Sequence, residues 1–235
     1  MKHISAPAIA LAALSLFLSS CLGKDAPIYS GTEACNVISS TRLVSDSGLT
    51  LNITGNHETP IPDTLKRVMV DCDVIGSTEG AGDEYDIRIN SFTPMTVKNA
   101  VKAADFPGEL GEDGIDIEAA WLGGGYLNAF AAVTQVKESA TVHSVNLEWE
   151  QERSGSDTLY FRFRHNAFGE SFDNPDVSAS SIETKGHYYS FPLDKLIPSG
   201  TKSIVIHLES DWFISSDGVL FREKKTYTGN LTYSE

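Results

Sequence analysis

The chain has 235 residues and a formal net charge of −14, from 18 Lys and Arg against 32 Asp and Glu. An acidic surface of that size repels phosphate backbones and argues against a nucleic-acid partner. Apolar content of 41% is ordinary for a chain that buries a core, and the length suits one large or two modest domains.

The first twenty residues read as a leader. Lys2 and His3 make a short basic start, and Ala8 to Leu18 is an apolar run broken only by Ser15. That run is too short to cross the roughly 30 Å hydrocarbon core as a helix. It closes in Leu18-Ser19-Ser20-Cys21, a Leu-x-small-Cys pattern at which a lipoprotein leader is cut. The Cys21 thiol then carries a diacylglyceryl group and its new amino terminus a further acyl chain. Two or three chains make attachment effectively permanent, because each buried CH₂ contributes about 0.8 kcal/mol. Residues 1–20 are therefore predicted as signal peptide. Residues 21–34 are small, polar and patternless, and are predicted as the lipid-anchored tether. The compartment implied is the cell envelope, with the outer membrane as the anchoring surface.

Residues 35–104 have a β pattern. Asn36–Val44 and Leu49–Thr54 read as strands around a turn at Ser45-Asp46-Ser47-Gly48. Val68, Val70, Cys72 and Val74 alternate with Arg67, Asp71 and Asp73, and Tyr85, Ile87 and Ile89 with Asp86, Arg88 and Asn90. Thr96–Ala104 fits a helix or a further strand. Five short strands suit a small Greek-key barrel of the OB type. Cys35 and Cys72 stand open between a disulfide, which an exported chain permits, and two free thiols packed as small hydrophobes.

Residues 105–118 break the rhythm with Pro107, several glycines and the carboxylates Glu109, Glu112, Asp113, Asp116 and Glu118. They lack the spacing of a calcium loop, and are predicted as a solvated acidic linker between domains. From 119 to 235 the short alternating strands resume: Leu127–Val136, Val145/Leu147/Trp149, Leu159/Phe161/Phe163, Tyr189/Phe191/Leu193, Ile204/Ile206/Leu208 and Val219–Tyr233, the last with a bend at Gly229. Folding the second and third of these around Arg153–Asp157 sets Glu148 and Glu150 near Arg164 and Arg162 as a surface ladder. The fold class predicted is all-β: a small OB-type barrel followed by an immunoglobulin-like β-sandwich.

No nucleophile elbow, phosphate loop, dinucleotide fingerprint or zinc motif is present, so no catalytic residue, metal ligand or cofactor is assigned and the chain is read as a non-enzyme. His165 and His207 fall in predicted strands with no acidic residue at ligand spacing. Trp121 and Tyr126 flank Gly123-Gly124-Gly125, which marks either direct packing of the other domain against backbone or a backbone-lined groove. Trp212 and Phe213 are the candidate exposed aromatics. Asp63-Thr64-Leu65 and Asp157-Thr158-Leu159 resemble O-glycosylation acceptor tripeptides.

The stretch Trp121-Leu122-Gly123-Gly124-Gly125-Tyr126-Leu127-Asn128 resembles NigD-like lipoproteins of Bacteroides and relatives. The Cys21 box, Tyr85-Asp86-Ile87-Arg88-Ile89-Asn90 and Phe191-Pro192-Leu193 fit the same family. The resemblance covers essentially the whole mature chain. It implies an OB-type domain joined to a β-sandwich and a bacteriocin-immunity-like role, and it brings no catalytic residues. Together these readings give a lipid-anchored binding module whose partners are the membrane, through acylated Cys21, and an unidentified protein or glycan. The alternative is a glycan-binding accessory lipoprotein at the cell surface.

Overall fold

A computed structural model describes residues 27–55, 60–77, 82–171, 174, 176–197, 201, 203–216 and 219–232. The leader, Cys21 and residues 22–26 lie outside the described residues.

The first domain is a closed five-stranded barrel of β1 (Tyr29–Ser39), β2 (Arg42–Ser45), β3 (Thr50–Ile53), β4 (Arg67–Ser77) and β5 (Glu84–Pro94). Its order, β1-β2-β3-β5-β4 closing back on β1, with β3 and β5 parallel, is that of an OB-type barrel. Closure leaves no free edge, and Leu43, Leu51, Val68, Val70 and Ile87 fill the interior. Two strands differ from the sequence reading. The predicted strand Asn36–Val44 is two strands, because Ser40-Thr41 turns the chain and pairs Ser39 with Arg42. The predicted tether ends earlier than residue 34: Tyr29 to Ala34 already pair with Val74 to Met69 of β4. Backbone pairing supplies an order there that side-chain polarity hides.

Cys35 and Cys72 are free, buried thiols. Cys35 pairs with Val68 in the β1–β4 ladder, four residues from Cys72. At about 3.3 Å per residue that is roughly 13 Å along the strand, well past disulfide reach.

The second domain is a sandwich of two four-stranded sheets. One has the order β13 (Val219–Thr232), β12 (Ser203–Ser216), β10 (Thr158–Asn166), β9 (Ser144–Trp149); the other runs β6 (Thr96–Val97), β11 (Ile182–Pro192), β8 (Tyr126–Val136), β7 (Ile115–Gly123). Leu127, Leu147, Phe161, Phe191, Ile206 and Leu208 form its core. The handover between domains lies at Met95, ten residues before the predicted linker. Thr96 and Val97 pair with Tyr189 and Ser190 on one sheet, and Val101 bridges Glu148 on the other, so this segment straps the open side of the sandwich.

The stretch 105–118 is not a solvated linker either. Leu110 and Ile115 are buried, Gly111 sits against the backbone of His165, and β7 begins at Ile115. Three of its carboxylates go to separate partners: Glu112 to Arg164, Asp113 to the Ala167 amide, Asp116 to Lys225. β13 runs through Gly229 without a bend; a Cβ there would lie 2.9 Å from Leu122, so this glycine lets β13 approach β7 closely.

Candidate functional site

The site is built where the barrel docks on the outer face of the β7–β8–β11 sheet. Strand alternation creates that face. Leu127, Ala129 and Ala131 of β8 enter the sandwich core, which turns Asn128 and Phe130 outward, and their partners Ser190 and Tyr188 of β11 turn out beside them. A sheet face carrying a buried Asn and a buried Ser needs polar partners, and the barrel supplies them.

Arg67 is the centre of the joint. It points out of the barrel, as its place opposite Val68 and Val70 dictates, and is fully buried in the second domain. Nε donates to Ser190 Oγ at 3.1 Å, and Nη1 to Asn36 Oδ1 at 2.9 Å. Nη2 donates to Asp46 Oδ1 at 2.7 Å and Asn128 Oδ1 at 3.1 Å. Its guanidinium also lies 4.4 Å from the centroid of the Tyr126 ring. Asp46 is held from the other side by the Trp121 indole N–H at 2.9 Å and by Asn128 Nδ2 at 3.2 Å. Ser190 Oγ completes the net, donating to Asn128 Oδ1 at 2.8 Å.

The glycine run makes this approach possible. Gly123 pairs with Tyr126, and Gly124 and Gly125 at φ +58° and +87° are the two residues of a β7–β8 hairpin turn. Positive φ at both positions is the type I′ requirement, so the run is a turn and not a bulge within a strand. A Cβ on Gly124 would stand 2.4 Å from Asp46 Oδ1 and 2.7 Å from Arg67 Nη1; one on Gly123 would stand 2.6 Å from Asp46 Cβ. The barrel packs on bare backbone, and Asn36 Nδ2 donates to the Gly124 carbonyl.

Beside this joint lies a groove of about 700 Å³. Met69, Ala34 and Glu33 line it from the barrel, and Trp121, Phe130 and Tyr188 from the sandwich. Tyr188 meets Trp121 edge-on, 6.5 Å between centroids at 76°, and Phe130 at 4.7 Å and 41°. Burial and the neighbouring Asp46 raise the Glu33 carboxyl above the usual carboxylate range. Among the described residues that carboxylate has no hydrogen-bond or ion-pair partner.

The predicted aromatic pairs therefore separate. Trp121 faces the groove, and Tyr126 lies under Arg67 in the joint. Trp212 is partly exposed on β12, past the segment of that strand paired with β10. Phe213 pairs through its backbone with Arg222, and its side chain lies outside the described ones. Of the acceptor tripeptides, Asp63-Thr64 is an exposed turn, while Thr158 opens β10 and donates to Asp157. Asp46, Asn36, Arg67 and Ser190 are missing from the sequence-derived site; Asn128, the one amide in the apolar run from Leu127 to Val133, was its faintest signal.

The charge ladder forms on the outer face of the other sheet. Arg164 reaches Glu148 at 3.6 Å and Arg162 reaches Glu150 at 3.5 Å, with Glu209 of β12 joining at 3.7 Å. His207 stacks on Tyr160 at 4.7 Å. His165 is buried, with Nδ1 at 2.9 Å from the Gly114 carbonyl and Nε2 at 3.0 Å from His143 Nδ1. Burial holds its pKa down at about 4, so it is neutral at pH 7; Nδ1–H donates to Gly114 and Nε2 accepts from His143. His143 Nε2 in turn lies 3.6 Å from Glu170, whose carboxylate accepts from Ser139 and Thr141. This chain ties three loops together. Among the described residues no group of three or more His, Cys, Asp or Glu is placed to hold a metal ion, and no helix is long and apolar enough to cross a membrane.

Comparison with known proteins gives the same architecture. A NigD-like immunity protein from Bacteroides caccae superposes with a TM-score of 0.59 at 21% identity, over 83% of this chain and 91% of that one. A protein of unknown function from Bacteroides vulgatus gives 0.59 at 21%, over 88% and 90%. A provisionally named lipoprotein of Bacteroides fragilis gives 0.56 at 13%, over 85% and 97%. At these identities the likeness is one of fold. No curated protein matches the chain. The model of the NigD-like C-terminal β-sandwich domain matches residues 97–214, from the strap of β6 to the far end of β12, and by that domain the chain belongs to the NigD-like family.

Proposed function

We propose that the chain is a lipid-anchored envelope protein, held at the outer membrane through Cys21, that captures a protein partner in the groove between its two domains. The observation that carries the reading is the groove itself. Its walls come from both domains, and the buried Arg67 net fixes their spacing, so the surface is preformed and binding does not have to organise it. An aromatic lining of this kind is typical of the centre of a binding surface. An immunity-type role, sequestering a toxin at the membrane, is the version that the family supports.

The test is genetic. A strain lacking the gene is challenged with each co-encoded toxin, then complemented with the wild-type chain, with Cys21→Ser, or with Ala119→Trp. Ala119 is exposed on the groove wall, so its enlargement fills the groove without entering either core. Protection is expected from the wild type only. Full protection by a folded Ala119→Trp chain would remove the groove from the function, and unchanged sensitivity of the deletion strain to every co-encoded toxin would remove the immunity version.

A further inference from the structure

We infer that the second domain carries a binding pocket of its own, apart from the groove, for a carboxylate borne on a short apolar stem. The pocket lies between the two sheets, on the open side that the strap from Thr96 to Val101 only partly covers. Strand register fixes which side chains face it. Ala129, Ala131 and Val133 of β8 point into the sandwich, and Gln135 continues that row. Tyr189 and His187 of β11 stand opposite Ala129 and Ala131 and share the inner face, and Thr96, opposite Tyr189, extends it to β6. Val145 faces them from β9. His187 is exposed although it points inward, so the other sheet leaves this corner uncovered. The cavity measures about 380 Å³, a size that suits a small ligand or the end of a chain.

Two of its groups call for an anion. Lys98 is partly buried at the edge and donates to the Val145 carbonyl and to Asn146 Oδ1. Both acceptors are neutral, the third N–H of the ammonium is unused, and no carboxylate pairs with it among the described residues. Burial holds its pKa below the usual lysine range, and no neighbouring acid offsets that. The carboxylates bordering the cavity are already engaged: Glu183 by Lys185 and Gln135, Glu170 by Ser139 and Thr141. Tyr189 is only 7% exposed, yet its hydroxyl makes no hydrogen bond among the described residues. A buried hydroxyl without a partner is unfavourable, and a carboxylate, which only accepts, takes a donor on each oxygen. Charge and shape narrow the class. One lysine matches one negative charge, whereas a phosphate group brings up to about two. Val133, Val145 and the Tyr189 ring give apolar walls, and Val142 an exposed apolar lip, so the stem behind the carboxylate is apolar. A free acid and the carboxyl end of a peptide present the same chemistry.

The test uses the full chain with isotopically labelled valine methyl groups, read at Val133 and Val145. The probes are hexanoate, its neutral counterpart hexanamide, and N-acetyl-Gly-Ser-Val-Leu with a free or an amidated carboxyl end. At least one free carboxylate is expected to shift both valines saturably and to bind at least about tenfold more tightly than its amide. A response to hexanoate alone supports a small-molecule ligand, and one to the free-ended peptide alone supports a chain terminus. Tyr189→Phe keeps the ring and should weaken the carboxylate about tenfold without lowering the melting temperature, since the hydroxyl holds nothing in the fold. Lys98→Met should erase the margin over the amide. Because that change also frees the Val145 carbonyl, Val142→Glu is its companion: a negative charge on the exposed lip should weaken the carboxylates and spare the amides. Equal binding of acid and amide, an unchanged margin in a folded Lys98→Met chain, or no response to either carboxylate would overturn the inference.

Discussion

Replacing Arg67 by methionine tests whether the joint is as strong as its geometry implies. Methionine keeps much of the buried stem and removes the charge with its four hydrogen bonds. Not all of the net collapses: Ser190 still donates to Asn128, and Trp121 and Asn128 still donate to Asp46. The groups left short are Asn36 Oδ1 and Asp46 Oδ1. Removing one member of a buried ion pair costs about 3–5 kcal/mol, and the 13% exposure of the Asp46 side chain places this case at the lower end, at about 3–4 kcal/mol. Against a total of roughly 5–15 kcal/mol that is a large fraction. Urea unfolding of the full chain, followed by tryptophan fluorescence and by circular dichroism, reads it directly. The two probes, coincident in the wild type, should separate as the domains lose their coupling. Adding Asp46→Asn relieves the stranded charge, so the double variant should fall short of the summed single losses by about 1–3 kcal/mol. A loss below about 1 kcal/mol for Arg67→Met, or strict additivity in the double variant, would refute a joint held by this ion pair.

Three further outcomes follow from the same geometry. Gly124→Ala should destabilise by at least about 2 kcal/mol, since left-handed strain adds to collisions with Asp46 and Arg67, whereas Gly125→Ala, with open space around it, should cost only about 1 kcal/mol; matched midpoints in a thermal melt would contradict this. His165 is held neutral in the fold, down at about 4 against about 6.5 unfolded, so the unfolded chain binds more protons between those values. Stability is therefore intact above pH 6.5 and falls as pH drops toward 4, by about 3 kcal/mol from this residue, and His165→Gln should flatten that part of the curve of unfolding midpoint against pH. Cys35 and Cys72 should resist a thiol reagent until denaturant is added, because both are buried and burial pushes Cys72 to about 11; rapid labelling of the native chain would show the barrel to be open.

Much of the fold is legible in the sequence because burial there follows a period of two. Val68, Val70 and Cys72, or Leu159, Phe161 and Phe163, announce their strands by alternation, and each is buried as that alternation predicts. Where the reading slips, backbone pairing has outvoted side-chain pattern. Tyr29 to Ala34 are polar or small, yet β4 offers a free edge for them to complete. The stretch before β7 is rich in acid and glycine, yet Glu112, Asp113 and Asp116 each have their own distant partner. Such partners sit tens of residues away, as Asp116 does from Lys225 or Glu112 from Arg164, and no local rule can see them.

The joint was hidden for a deeper reason. Arg67 and Asp46 each look like ordinary solvated residues on the outer side of a barrel strand or in a turn, and within the barrel alone that is what they would be. Only the second domain buries them, and the sequence gives no account of which barrel face it covers. The one local mark of the contact is subtractive. Gly123-Gly124-Gly125 is conspicuous for the side chains it lacks, and the space they leave is taken by Asp46 and Arg67. A type I′ turn needs small residues at two positions to satisfy its dihedral angles, but the third glycine, Gly123, has no positive φ to justify it. Its only structural reason is the Asp46 side chain standing 2.6 Å from where a Cβ would be. A glycine that local geometry does not require is evidence of close approach by something outside the hairpin, and here that something is the other domain.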